Sequence, residues 1–229
     1  MGKNFVKVEI ANFAGILKKA KSIPDKGAAA MKDTVSDLKK RAPGWIAQEV
    51  TKVYNVKKAD VTPAGKGNQI KAGRTAVQYS GKTVEDFAIT YKGQLLTPYR
   101  FGMTPKAPGA GSYTLKAEII KGQKKVLGKV KKLTKKQRKD LAKNFTRSGQ
   151  KRSAQSPIML MGTGNTRADG VNWIPFQRKT VNRKNIEVIK TLSVPQMVTS
   201  SRTNDTIMAR INEGAAKRLT HHTERHFKE

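Results

Sequence analysis

Three parts of this chain have residue types and spacings that could do chemistry: a histidine cluster, a glycine-rich loop and a dense run of lysines. His222 and His226 stand four residues apart, so on a helix both imidazoles share a face, as when one helix offers two ligands to a metal. His221 lies beside them and Glu229 is close, but a third good ligand is missing. No metal is expected, and the cluster reads as a frayed, partly charged helix end favoured by the helix dipole. The segment Gly162-Thr-Gly-Asn-Thr-Arg-Ala-Asp-Gly170 has glycines that let backbone amides approach an anion. It lacks both the Gly-Lys-Ser/Thr ending of a phosphate loop and the dinucleotide-binding spacing, so it reads as a flexible turn. No carboxylate pair stands in an acid-base setting, no Ser, His and Asp form a nucleophile motif, and lone acids such as Asp60 and Glu187 define no chemistry. The expectation is a protein that is not an enzyme, with no catalytic residue and no cofactor.

The lysine run is the strongest local signal. Lys124, Lys125, Lys129, Lys131, Lys132, Lys135, Lys136, Arg138 and Lys139 crowd together, and between Lys116 and Arg152 fifteen basic residues face only Glu118 and Asp140, a net of +13. Such a run can neutralise DNA phosphates without reading sequence, or meet an acidic protein surface. It can also be a solvated lysine-rich loop. Its one aromatic residue, Phe145, suits burial under a helix better than stacking on single-stranded bases.

The whole chain repeats the theme. Its 229 residues hold 47 Lys and Arg against 16 Asp and Glu, a formal net charge of +31. That excess favours partners that bring negative charge, such as nucleic acid, an anionic membrane or acidic proteins. With 37% hydrophobic residues and a mean hydropathy of −0.60, the chain can bury a lean core. Having no cysteine, it forms no disulfide and no thiolate metal site. MGKNFVKVEI has no apolar run of signal-peptide length, Val6 stands where a myristoylation motif needs Ser or Thr, and no stretch approaches the roughly 18 apolar residues of a membrane span. A soluble, cytosolic product that does not enter a membrane is expected.

The elements that would position these residues follow from periodicity. Ile23-Pro24-Asp25 starts a helix whose apolar face is Ala28, Met31, Val35 and Leu38, and Pro43 is expected to break it and open a second helix with Ile46, Val50 and Val53 on one face. Phe87, Ile89 and Tyr91, and later Tyr113, Leu115, Ala117 and Ile119, alternate with polar residues as half-buried antiparallel strands do, and the two runs read as sheet neighbours. Leu95 to Ser112, rich in Pro and Gly, should be an irregular loop. A helix with a narrow apolar stripe is expected from Thr134 to Gly149, with Leu141 and Phe145 inward. Ile158 to Met161 and Trp173 to Arg178 read as short strands, and Ile207, Ile211, Ala215 and Leu219 as one face of a last helix despite Gly214. This order predicts an α+β fold: a twisted antiparallel sheet packed by N-terminal and C-terminal helices, in one domain over 1–229 with a basic insertion at about 122–156.

Several short motifs resemble a known family. Trp173-Ile-Pro-Phe-Gln-Arg178, Ile186-Glu-Val-Ile-Lys-Thr-Leu-Ser-Val-Pro-Gln-Met197 and Arg218-Leu-Thr-His-His222 are similar to the minor tail protein Z family of tailed bacteriophages. Lys190 to Met197 is the most diagnostic part. Trp45 to Val53 followed by Tyr54-Asn-Val-Lys-Lys-Ala-Asp-Val61, and Leu96-Thr-Pro-Tyr-Arg-Phe101, agree with it. The resemblance implies a structural virion protein, assembled in the host cytoplasm, that completes the head-proximal end of a phage tail. It also implies a homo-oligomeric ring, commonly a hexamer, beside adjoining tail, neck or connector proteins and around a channel crossed by genomic DNA. Gln123 to Ser156 is longer and more basic than the family pattern. A free nucleic-acid-binding protein acting through the 116–152 segment is the competing expectation.

Overall fold

A computed structural model describes residues 4–9, 18, 22, 24–63, 76–108, 111–130, 158–167, 170–178 and 186–228. The fold is α+β, as expected, with long helices toward both ends and small antiparallel sheets between. Where element order suggests one domain, the chain divides into two compact units: Met1–Leu96 with Leu192–Glu229, and Thr97–Thr191.

The first unit contains β1 (Asn4–Glu9), α1 (Pro24–Val53), α2 (Lys58–Val61), β2 (Ala76–Ser80) and β3 (Ala88–Gly93), and after the second unit α3 (Val194–Val198) and α4 (Asn204–Lys228). Its sheet runs β1-β3-β2, antiparallel throughout, with Val6 and Val77 both opposite Tyr91. Ile89 and Tyr91 are buried as their alternation predicts, and α3 lies against β1 and β3.

Pro43 does not break α1, contrary to expectation; one helix of 30 residues runs through it. A proline inside a helix loses a hydrogen bond and crowds the preceding turn, a penalty of about 3 kcal/mol in isolation. Here Val35, Leu38, Ala42, Ile46 and Val50 form one buried stripe that spans the proline, so packing on both sides holds the helix together. The stripe is also rotated at its start. Ala30 is buried, whereas Ala28 is exposed and Met31 only half-buried.

Antiparallel to α1 lies α4, and its expected face holds: Ile207, Ile211, Ala215 and Leu219 are fully buried. Gly214 has a specific reason to be glycine. A Cβ there would run into the six-membered ring of Trp45, so the missing side chain lets the indole sit against the α4 backbone. The segment Lys190–Met197 owes its form to a capping box: the Gln196 N–H donates to Ser193 Oγ (3.3 Å) while the Ser193 N–H donates to Gln196 Oε1 (2.9 Å). Just before it the Leu96 N–H donates to Leu192 O (3.0 Å), and Leu95 bridges Ser193. The residues where the chain leaves the first unit are therefore zipped to those where it returns, which brings two of the family-like motifs together.

The second unit contains a 3-10 turn at Pro98–Phe101, then β4 (Tyr113–Ile120), β5 (Gln123–Val130), β6 (Ile158–Arg167), β7 (Gly170–Arg178) and β8 (Ile186–Val188). β4 pairs with β5, and β6-β7-β8 form a second antiparallel sheet. Met103 and Leu115 centre a small core to which Tyr99, Tyr113, Leu127 and Trp173 pack. Three expectations need correcting. The Phe87–Tyr91 and Tyr113–Ile119 runs are not sheet neighbours, because β5 follows β4 after only Lys121 and Gly122 (φ +78°) and takes the near side of the ladder. The Leu95–Ser112 segment is not wholly irregular, since it holds the 3-10 turn and a two-way backbone bridge between Thr104 and Lys116. The turn expected over Gly162–Gly170 is mostly strand: β6 runs to Arg167 and β7 restarts at Gly170, with the register shifting between Met161 and Thr166. The helix expected from Thr134 to Gly149 lies outside the described residues.

Candidate nucleic-acid or acidic-partner interface

The start of the lysine run is a strand, with Lys124, Lys125 and Lys129 on β5, all exposed. Lys131, Lys132, Lys135, Lys136, Arg138 and Lys139 lie outside the described residues. Two lysines left out of the predicted set join the three: Lys116 on β4 and Lys121 in the turn are exposed as well. Their presence in the same local charge run was the available signal, but alternation alone did not show that the run folds back on β4.

The ladder register explains how the charges are displayed. Lys116 stands opposite Val126, Lys125 opposite Ala117 and Lys129 opposite Thr114, so none of the three faces an acid across the strands. Glu118 stands opposite Lys124, and its Oε1 accepts the Gly122 N–H at 2.8 Å, which ties the hairpin's only carboxylate to the turn. A shift in pairing between Leu115 and Lys116 gives β5 one extra residue, Leu127. Without it Leu127 would oppose Lys116 and point away from the core; with it Leu127 packs on the Met103–Leu115 cluster. An apolar contact from Leu127 thus anchors a strand that also carries three exposed lysines. Val126, 52% exposed, is the apolar exception on the open side.

The histidines have a different setting from the one expected. α4 continues to Lys228, and His222 is only 8% exposed, so this is no frayed end. His226 Nε2 donates to Asp33 Oδ2 at 3.0 Å and His222 Nε2 to Asp37 Oδ2 at 3.4 Å. Twelve residues from Asp33 to Trp45 on α1 match twelve from Gly214 to His226 on α4, so both pairs fall in a single antiparallel register. Asp37 also lies 3.8 Å from Arg41 and 3.7 Å from Arg218. The His226 hydrogen bond, helped by the charges of His222, His226 and Arg225, holds the Asp33 carboxyl below the usual carboxylate range. Each imidazole thus engages one aspartate, and among the described residues no three His, Asp or Glu side chains are placed to hold a metal ion. The i, i+4 spacing of Asp33 and Asp37, matching that of His222 and His226, was the signal for this seam.

Among the described residues, no helix is long and apolar enough to cross a membrane. The chain matches no family model, no curated protein and no solved structure.

Proposed function

We propose that this chain is a structural virion protein that completes the head-proximal end of a phage tail, as one subunit of a homo-oligomeric ring at the tail-neck junction. Its role is assembly and not catalysis, and its β4–β5 hairpin is a contact surface for what lies next to the ring. The observation that carries the reading is the set of motifs resembling the minor tail protein Z family, of which Lys190–Met197 is the most specific. Physical roles for those residues support it: Ser193 and Gln196 cap α3, while Val194 and Met197 are buried. Leu96 opens another of the motifs and is hydrogen-bonded to Leu192. The test is to make particles without the chain. Tails should then fail to join heads and regain joining when the purified protein is added; tails that join heads normally in its absence would refute the role.

A second reading rests on the exposed lysines of the hairpin: a free protein that binds nucleic acid through phosphates. It requires the isolated chain to bind duplex DNA or RNA with a steep loss of affinity as salt rises, whatever happens in the particle.

A further inference from the structure

Among the described residues β5 is paired on one side only, with β4. The opposite side of β4 is bridged by Thr104, but among the described residues no strand lies along the outer side of β5. Its eight residues present roughly 26 Å of edge at about 3.3 Å per residue. An open edge carries backbone N–H and C=O groups in alternation, and it is a template for another strand unless something discourages pairing.

Lys124, Lys125 and Lys129 supply that discouragement, and they do so selectively. Lysines on an edge repel an incoming strand of like charge, and a second copy of this chain arrives with a net charge of +31. A strand that carries carboxylates is attracted by the same residues. Duplex DNA fits the edge less well, because phosphate oxygens only accept hydrogen bonds and would face the outward carbonyl oxygens of β5. Val126, more than half exposed between the lysines, gives phosphate nothing to bind but gives a strand an apolar neighbour.

From these features we infer that the outer edge of β5 is a docking site for an extended, acidic segment of another protein, which adds to the β4–β5 ladder as a further strand. The inference takes from the proposed function only that the hairpin is a contact surface. Particles in which no ring is found would leave it standing.

The probe is a ten-residue peptide alternating Glu with Val and Thr, titrated into the full chain by calorimetry, with amide hydrogen exchange followed over residues 123–130. Binding should slow exchange in β5. Replacing every Glu by Gln should weaken binding at least ten-fold, as should Lys124→Gln, Lys125→Gln and Lys129→Gln combined, with the circular dichroism of that variant unchanged. N-methylating alternate peptide amides, which keeps the charge and removes the hydrogen bonds, should also weaken binding at least ten-fold. The inference is overturned if the peptide does not bind, if the N-methylated peptide binds as well as the parent, or if random-sequence duplex DNA slows β5 exchange and the peptide does not.

Discussion

The α1–α4 seam and the β4–β5 hairpin treat charge in opposite ways. In the seam, His222, His226, Arg41 and Arg218 gather around Asp33 and Asp37, beside a stripe of fully buried Ile and Leu side chains. In the hairpin, five lysines share one carboxylate, and that carboxylate is hydrogen-bonded to the turn. A strongly basic composition is therefore not one property. Where acids lie across the packing surface, positive charge helps hold two helices in register; where they do not, it is displayed outward and leaves the fold to a few apolar anchors such as Leu127.

The comparison breaks most sharply if the apolar stripe of the seam is not what holds it. Ile211→Ala, at a position with no exposed surface, is expected to lower unfolding stability by about 2–5 kcal/mol, read from urea denaturation. Gly214→Val, which drives a branched side chain into Trp45, should lower it by about 1–3 kcal/mol and alter the tryptophan fluorescence. If both variants unfold like the parent, the seam is not the core of its unit.

Lys124→Gln, Lys125→Gln and Lys129→Gln together should shift stability by no more than about 0.5 kcal/mol, since these side chains face solvent and, within the described ladder, only Lys124 stands opposite an acid, Glu118. A marked destabilisation would mean that the hairpin charges serve the fold after all.

The smallest effect sharpens the electrostatic half of the contrast. Because the folded-state pKa of Asp33 is lowered from 3.8, its contribution to stability is present above about pH 4 and is lost as pH falls through the lower folded value. Asp33→Asn should therefore be slightly less stable than the parent above pH 4 and converge with it in more acidic solution. The gap should be small and salt-sensitive, because the side chain is 40% exposed. An offset that stays constant from pH 2 to 6 would show that the Asp33 charge has no part in the seam.

Periodicity made some of this structure legible and topology hid the rest. The Ile207–Leu219 stripe is a local pattern, and the structure buries it as read. Continuity through Pro43 was not local, since it depends on what packs beside the helix on both sides of the proline. β5 was obscured because lysines occupy the positions where alternation would show, and the single extra residue at Leu127 shifts the period inside the strand. The His–Asp seam joins residues 185 and 193 positions apart, so the two i, i+4 pairs could be seen separately but not as partners. Of the nine basic residues expected at the interface, Lys124, Lys125 and Lys129 are placed on an exposed strand, and the other six lie outside the described residues.

Imaging of intact particles tests the account most directly. The account predicts density for this chain in a ring at the head-proximal end of the tail, with the β4–β5 hairpin against a neighbouring molecule and the α1–α4 seam closed within each subunit. Particles that lack the chain, or a ring in which Lys116, Lys121, Lys124, Lys125 and Lys129 all face open solvent, would contradict it.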